Sequence, residues 1–397
     1  MRRAPLSAVS SLETTGSPGT HPKAHLALLE LPAGTSSARH PFSWLARGQA
    51  GKVPRLDDRT PHSSATDAEA LAHALTQARA AIEQLQARAR AVIVGRDDVI
   101  ELTLIALLAD GHVLLEDYPG SGKTTLARCL GDAMQSEPGD RLVPFRRIQF
   151  TPDLLPSDVT GTSVLELEHG RFVFRPGPIF AHIVLADEIN RTSPKVQAAM
   201  LEAMAEKQVT IDNETHRLDE LFFVIATQNP LDVAGTYPLP TPQLDRFLFK
   251  ISMTHIERQA ELSVLEHYPR PSLTLGQELP RVSRSQLLGA RQAIRAGVHI
   301  AAPIREALVD LARGLRADER VLQGASTRSL VLMLPALQVR ALLHGRSFVS
   351  PDDLEALAPR VFGHRIECVP GVLDQAEVIA AALRPVIERL SRLSLER

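Results

Sequence analysis

The stretch from His112 to Arg128 constrains what this chain can fold into more than any other. It reads His-Val-Leu-Leu-Glu, an apolar run of strand length, then Asp117-Tyr-Pro-Gly-Ser-Gly-Lys123-Thr124-Thr125, then the helical opening Leu126-Ala127-Arg128. A glycine-rich turn between a strand and a helix lets backbone N–H groups close around an anion, and the helix N-terminus adds a favourable dipole. Gly120 and Gly122 permit that approach, Lys123 supplies charge for terminal phosphates, and the Thr124 hydroxyl can ligate Mg²⁺, as in the G-x-x-x-x-G-K-[ST] pattern. Asp117 stands where the first glycine of that pattern usually is. Pro119, Gly120, Ser121, Gly122, Lys123, Thr124 and Thr125 are therefore the candidate residues for binding a nucleoside triphosphate, ATP in the first instance, with Mg²⁺.

Three later segments fit the same chemistry. Ile183-Val-Leu-Ala-Asp187-Glu188 is a strand ending in two acids. Asp187 beside the glycine-rich loop would hold the metal, often through water, and Glu188 would orient or deprotonate the attacking water. Leu221-Phe-Phe-Val-Ile-Ala-Thr-Gln-Asn229 brings a polar amide to a strand end, where Asn229 could position that water; an asparagine there is otherwise a common turn former. Gln243-Leu-Asp-Arg246 precedes the strand Phe247–Ile251, and Arg246 is a candidate arginine finger reaching a neighbouring subunit's phosphates.

Short apolar runs at His112–Glu116, Arg147–Phe150, His182–Ala186, Leu221–Thr227 and Phe247–Ile251 alternate with helical stretches, an α/β pattern of about five strands. Hairpins at Val164–Phe174 and Val209–Leu218 read as insertions on that core. Thr66-Asp-Ala-Glu69 is a capping-box pattern ahead of apolar positions from Leu71 to Ala89 at helical spacing, so a long amphipathic helix is expected to open the folded part at Thr66. Past residue 255 the strands are expected to stop and helices to follow, with Pro335 and Pro385 kinking or ending two of them. The expected organisation is an N-terminal disordered extension over residues 1–65, an αβα nucleotide-binding domain over 66–255 and a helical domain over 256–397.

Composition excludes several classes. Hydrophobic residues make up 44 % of the 397 and charged residues 23 %, an ordinary globular balance. No apolar run is long enough to span a bilayer, so membrane insertion is not expected. Cys129 and Cys368 are far apart and outside any Cys/His cluster, which fits a reducing, cytoplasmic setting without disulfides or structural zinc; Cys129 falls on a core position. The net charge is −2, and residues 1–65 carry eight Lys/Arg against four Asp/Glu, so the folded part is acidic. That argues against strong binding to a nucleic-acid backbone.

Taken together, the chain from about Val92 to Ile366 resembles the MoxR family of AAA+ ATPases. The resemblance runs through Arg147-Ile-Gln-Phe-Thr-Pro-Asp-Leu-Leu-Pro-Ser-Asp158, Phe174-Arg-Pro-Gly-Pro-Ile-Phe180, Ala186-Asp-Glu-Ile-Asn-Arg191, Ala226-Thr-Gln-Asn-Pro230, Gly235-Thr-Tyr-Pro-Leu-Pro240, Gln243-Leu-Asp-Arg-Phe247 and Gly324-Ala-Ser-Thr-Arg328. It implies a five-stranded parallel sheet of order 5-1-4-3-2 with hairpin inserts, followed by an all-α lid. It also implies that Asn229 is sensor one, Arg246 the arginine finger and Arg328 the sensor-two arginine, in cis or in trans, and that Val94 and Gly95 lie in the adenine-contacting stretch. Thr241-Pro242 stands where Glu-Ala is more usual in the family. The implied function is ATP hydrolysis to ADP and phosphate in a homo-oligomeric, hexameric ring. That ring would act as a chaperone, remodelling a client or maturing its metal cofactor through a partner with a von Willebrand factor A domain. A nucleic-acid motor is the rival reading, opposed by the charge and by the lack of a recognisable DNA-binding module. A non-hydrolysing, ATP-switched scaffold is another, opposed by the complete set of lysine, acids and arginine.

Overall fold

The computed structural model describes residues 63–116, 121–135, 137–139, 142–229, 235–266, 279–372 and 374–395. The first half contains α1 (Ser63–Val92), α2 (Asp97–Leu108), β1 (Val113–Glu116), α3 (Lys123–Asp132), β2 (Met134–Gln135), β3 (Val143–Gln149), α4 (Pro156–Thr160), β4 (Gly161–Glu166), β5 (Arg171–Pro176) and β6 (Ala181–Asp187). Next come α5 (Pro194–Glu206), β7 (Gln208–Ile211), β8 (Glu214–Arg217), β9 (Phe223–Gln228), α6 (Thr241–Leu244), β10 (Phe249–Ser252) and α7 (Arg258–Glu266). The C-terminal part carries β11 (Val282–Ser283), α8 (Arg284–Gly297), α9 (Ala302–Ala317), β12 (Val321–Gln323), α10 (Thr327–Leu343), α11 (Pro351–Phe362), β13 (Glu367–Cys368) and α12 (Gln375–Leu395).

The central sheet is parallel throughout, in the order β10-β1-β9-β6-β3. This is the 5-1-4-3-2 order implied by the family resemblance. Parallel strands need crossovers that cover both faces, so their residues are apolar on both sides. Accordingly all seven residues of β6 are buried. Alternation along the strands divides the core: Leu114, Val184, Val224 and Ala226 pack with Val196, Met200 and Phe247, whereas Val113, Leu115, Ile183, Leu185, Phe223 and Ile225 pack with Leu126 and Leu130. Each such valine, leucine, isoleucine, methionine or phenylalanine side chain, fully buried, contributes about 1.5–3 kcal/mol. The strands therefore end in register on one edge, and β1, β6 and β9 deliver their last residues to the same place. Both expected hairpins form, as β4–β5 and β7–β8. Phe174 of the first stacks on His216 of the second, with ring centroids 3.8 Å apart.

Three expectations are corrected. Helix α1 begins at Ser63, so the Thr66–Glu69 pattern lies inside it instead of capping it. Beyond residue 255 the chain is not purely helical: β11 pairs in parallel with β2, and β12 pairs antiparallel with β13. These strands are two or three residues long, too short to leave a period in the sequence. Pro335 and Pro385 do not end helices, since α10 and α12 run through them, as α11 does through Pro359.

The second apolar cluster does not stop at the sheet. It runs from Ala78, Ile82, Leu85 and Ala89 of α1, through α2 and α3, to Leu287 and Ile294 of α8, Leu311 of α9, Leu337 of α10, Leu357 of α11 and Ile379 of α12. The N-terminal helix thus packs directly on α8, nearly two hundred residues further along the chain. Residues 1–62, including most of the expected N-terminal extension, lie outside the described residues.

Candidate nucleotide-binding site

At the carboxyl edge of the sheet a cavity of about 350 Å³ is lined by Ser121, Gly122, Lys123, Thr124, Thr125, Asp187, Glu188 and Asn229. Three separate stretches of sequence converge there because β1, β6 and β9 are neighbours in the sheet. Gly122 caps α3 with φ +92°, a left-handed backbone that only glycine takes without strain. A Cβ at that position would meet nothing within 4 Å, so the requirement is conformational, not steric. The first N–H groups of α3 have no acceptor within the helix, and the residues that carry them line the cavity, where an anion would complete them. The Ser121 Oγ is buried there without a hydrogen-bond partner among the described residues, as a donor awaiting an anion would be. Pro119, Gly120 and the departing Asp117 lie outside the described residues.

Asp187, 8 % exposed, ends β6. Its Oδ1 accepts from Thr227 Oγ1 at 2.7 Å, and its Oδ2 accepts from Arg147 Nε at 3.0 Å and Nη2 at 2.6 Å. Glu188 follows in a left-handed conformation, φ +60°, which turns the chain sharply off the strand into the 3₁₀ turn Ile189–Arg191. For a non-glycine residue this costs on the order of 1 kcal/mol and is typical of functional positions. The turn is secured by the Glu188 N–H donating to Thr227 Oγ1 at 2.9 Å. The Glu188 carboxylate accepts from Gln149 Nε2 at 2.8 Å and lies 3.4 Å from Arg191 Nε. Asn229 completes the wall, and its carbonyl accepts from Asn190 Nδ2 at 3.5 Å. At the end of β1, Glu116 ties three strand ends together: it accepts from Gln228 Nε2, from Lys250 Nζ at 2.9 Å and from Ser252 Oγ at 3.4 Å.

Arg246 is not in the cavity. Half-buried, it donates from Nη1 to the Leu201 carbonyl at 2.7 Å. Its neighbour Asp245 is held by the buried Arg365, whose Nε donates to Asp245 Oδ1 at 2.7 Å and whose Nη groups donate to the Leu248 and Phe247 carbonyls. Burial pushes the Arg365 guanidinium down to about 10, Asp245 opposes that fall, and the positive charge of Arg328 adds to it. Asp245 also accepts from Ser326 and Ser329, so one carboxylate joins the residue before Arg246 to the first turn of α10 that carries Arg328. Arg328 itself is exposed and outside the cavity. Half-buried Val94 and exposed Gly95 are outside it too; a Cβ on Gly95, φ +70°, would come within 2.6 Å of Ala260 Cβ just before the middle of α7.

Residues 112–249 match the ATPase family associated with various cellular activities (AAA), and residues 313–384 match the AAA lid domain. The chain is 37 % identical over 288 residues to Chaperone MoxR1 of Mycobacterium tuberculosis, covering 69 % of this chain and 72 % of that protein. It is 30 % identical over 337 residues to the protein MoxR of Methylorubrum extorquens, covering 79 % of this chain and 96 % of that one. The chain belongs to the MoxR family of AAA+ ATPases. Within and around that family, the Bacillus subtilis protein YeaC, itself uncharacterized, is 44 % identical over 305 residues, 74 % of this chain and 92 % of its own. A crystal structure assigned as an ATPase from Cytophaga hutchinsonii superposes with a TM-score of 0.72 at 34 % identity, covering 80 % of this chain and 98 % of that one.

As a MoxR-family ATPase the chain binds nucleotide, and the residues present fit one with its metal. Among the described residues there is no group of three or more His, Cys, Asp or Glu that would hold a metal unaided. A hydroxyl at Thr124 and a carboxylate at Asp187 are hard oxygen donors of the kind Mg²⁺ takes alongside phosphate and water. Arg147, Gln149 and Thr227 were not singled out by sequence reasoning, although all three lie inside motifs that mark the family. The signal for them is positional: Arg147 and Gln149 alternate on a strand whose register sets Gln149 opposite Asp187. No described helix is long and apolar enough to cross a membrane.

Proposed function

We propose that the protein is a Mg²⁺-dependent ATPase that works as a ring, residues 66–255 holding the nucleotide and 256–397 closing over it as a lid. The observation carrying this reading is the convergence of Lys123, Thr124, Asp187, Glu188 and Asn229 on one cavity at the N-terminus of α3. Lys123 pairs with the terminal phosphates, Thr124 and Asp187 hold the metal, and Glu188 and Asn229 place the lytic water. Bound Mg²⁺ neutralises charge on the β- and γ-phosphates. Arg246 lies away from its own cavity, which supports a role on a neighbouring subunit's nucleotide, and Arg328 sits on the lid helix linked to it through Asp245. The name Chaperone MoxR1 borne by one relative supports remodelling of a client protein, and the family resemblance supports metal-cofactor maturation and a von Willebrand factor A domain partner.

ATP turnover measured against protein concentration, with mass photometry alongside, tests the ring. Turnover per subunit is expected to rise with assembly and to fall at least ~100-fold in Arg246→Ala, which still binds nucleotide. A Glu188→Gln protein that assembles, binds ATP and turns it over at the native rate would refute the assigned chemistry.

A further inference from the structure

The carboxylate of Asp187 is 11 % exposed, at the end of a strand with no exposed residue. An anion so far removed from water requires a counter-charge. Arg147 supplies one from the adjacent strand: both Nε and Nη2 donate to the same oxygen, Oδ2, while Thr227 holds Oδ1 from the other side. Arg147 is itself 48 % exposed, and its Nη2 also donates to Gln149 Oε1. One member of the pair is thus fixed in the core, and the other is a long side chain with water on one side into which it can swing.

Asp187 is also the acid that the proposed function sets against Mg²⁺. A guanidinium seated on Oδ2 and a divalent cation drawn to the same carboxylate, directly or through water, repel one another. We propose that Arg147 is the resident counter-cation of Asp187, and that metal binding is an exchange in which the guanidinium leaves as the divalent ion arrives. This rests on the proposed metal role of Asp187.

The exchange has two consequences of opposite sign. Arg147 competes with the metal, so it lowers the site's apparent affinity for divalent cations. In the absence of metal it cancels the charge of Asp187, which would otherwise repel the phosphates of an incoming nucleotide, so it raises affinity for metal-free ATP. Damage to the fold does not produce this pattern, since a disturbed site binds both forms less well.

The test is equilibrium binding of a fluorescent, non-hydrolysable ATP analogue to the full-length protein, once in EDTA and once in Mg²⁺. The ratio of the two dissociation constants measures the coupling between metal and nucleotide. In Arg147→Gln the EDTA affinity is expected to fall while the Mg²⁺ affinity holds or improves, raising the ratio by about tenfold. Arg147→Lys keeps the charge and is expected to stay within about twofold of the native ratio. A ratio unchanged or lowered in Arg147→Gln overturns the proposal, as does an Arg147→Lys protein that behaves like Arg147→Gln. Asp187→Asn separates this failure from failure of the metal assignment: its ratio is expected to collapse, and an unchanged ratio there removes Asp187 from the metal site altogether. Lys123→Ala, which weakens binding in both buffers, confirms that the probe occupies the cavity.

Discussion

His112 immediately precedes the strand that feeds the phosphate-binding turn, and its protonation is incompatible with the way it is held. The ring is buried between Phe222 and Phe223, at centroid distances of 5.8 and 6.4 Å. Its Nδ1 accepts from the Val224 N–H at 3.1 Å, which leaves Nε2–H to donate to the Met204 carbonyl at 3.1 Å. Both nitrogens are therefore used by the neutral tautomer, and a proton on Nδ1 would face another donor. Burial is the main cause that lowers this histidine from 6.5 to about 4, partly offset by the Met204 hydrogen bond. As pH falls through that window the unfolded chain takes up a proton that the folded chain refuses, so folding stability is complete above about 6.5 and is lost on the way to 4. At about 1.4 kcal/mol per pH unit, the loss from this residue is about 3 kcal/mol. In His112→Gln the amide can accept from Val224 and donate to Met204 without titrating. That variant is expected to be less stable at pH 7, through lost ring packing, but to have a flatter acid limb. Urea unfolding at constant ionic strength from pH 7 to 4 measures both. His364 and the low carboxylates Asp219 and Asp353 titrate in both proteins and cancel in the difference. Parallel curves, agreeing to within about 0.5 kcal/mol, would show that His112 does not carry the effect.

Three other perturbations follow from the geometry. Asp245→Asn leaves the Arg365 guanidinium buried without a counter-charge but still bonded to carbonyls, so chemical denaturation should show a loss of about 2–3 kcal/mol, less than for a pair with no other partners. Gly122→Ala meets no clash but must adopt φ +92°, which costs about 1–2 kcal/mol and should appear in the affinity for the fluorescent ATP analogue as roughly a tenfold loss; native affinity would mean the turn relaxes freely. The Cys129 thiol is pushed up to about 11 by burial, so alkylation at pH 8 should be slow until denaturant is added, with mass spectrometry locating the adduct.

What could be read in advance was what is local. The glycine-rich turn, the paired acids after an apolar run and the two hairpins each announce themselves within a dozen residues, and the strand runs were evident from their apolarity. The contacts around Asp187 and Glu188 were not, because they depend on which strands are neighbours. Nothing in Arg147-Ile-Gln149 states that β3 lies beside β6, and only the register that sets Gln149 opposite Asp187 makes those two side chains part of the site. Asp245 shows the same limit: its partner Arg365 is 120 positions away and carries no motif. The internal prolines were read by a local rule that allowed either a kink or a helix end, and the end is excluded because α10 and α12 continue through Pro335 and Pro385, held by tertiary packing on both sides.

The shared apolar cluster along α1 bears on how pieces of this protein could be exchanged with relatives. A recombinant that takes its C-terminal helices from another member of the family would normally be joined near residue 255. Here that junction separates α8 from α1, the helix it packs against within one apolar cluster. A swap respecting the packing has to carry α1 together with α8, two segments far apart in the described chain. The unit that can be inherited intact is therefore discontinuous in sequence, and chimaeras cut at the apparent boundary should fold less well than those cut on either side of α3 and β1 while keeping α1 with its distant partner.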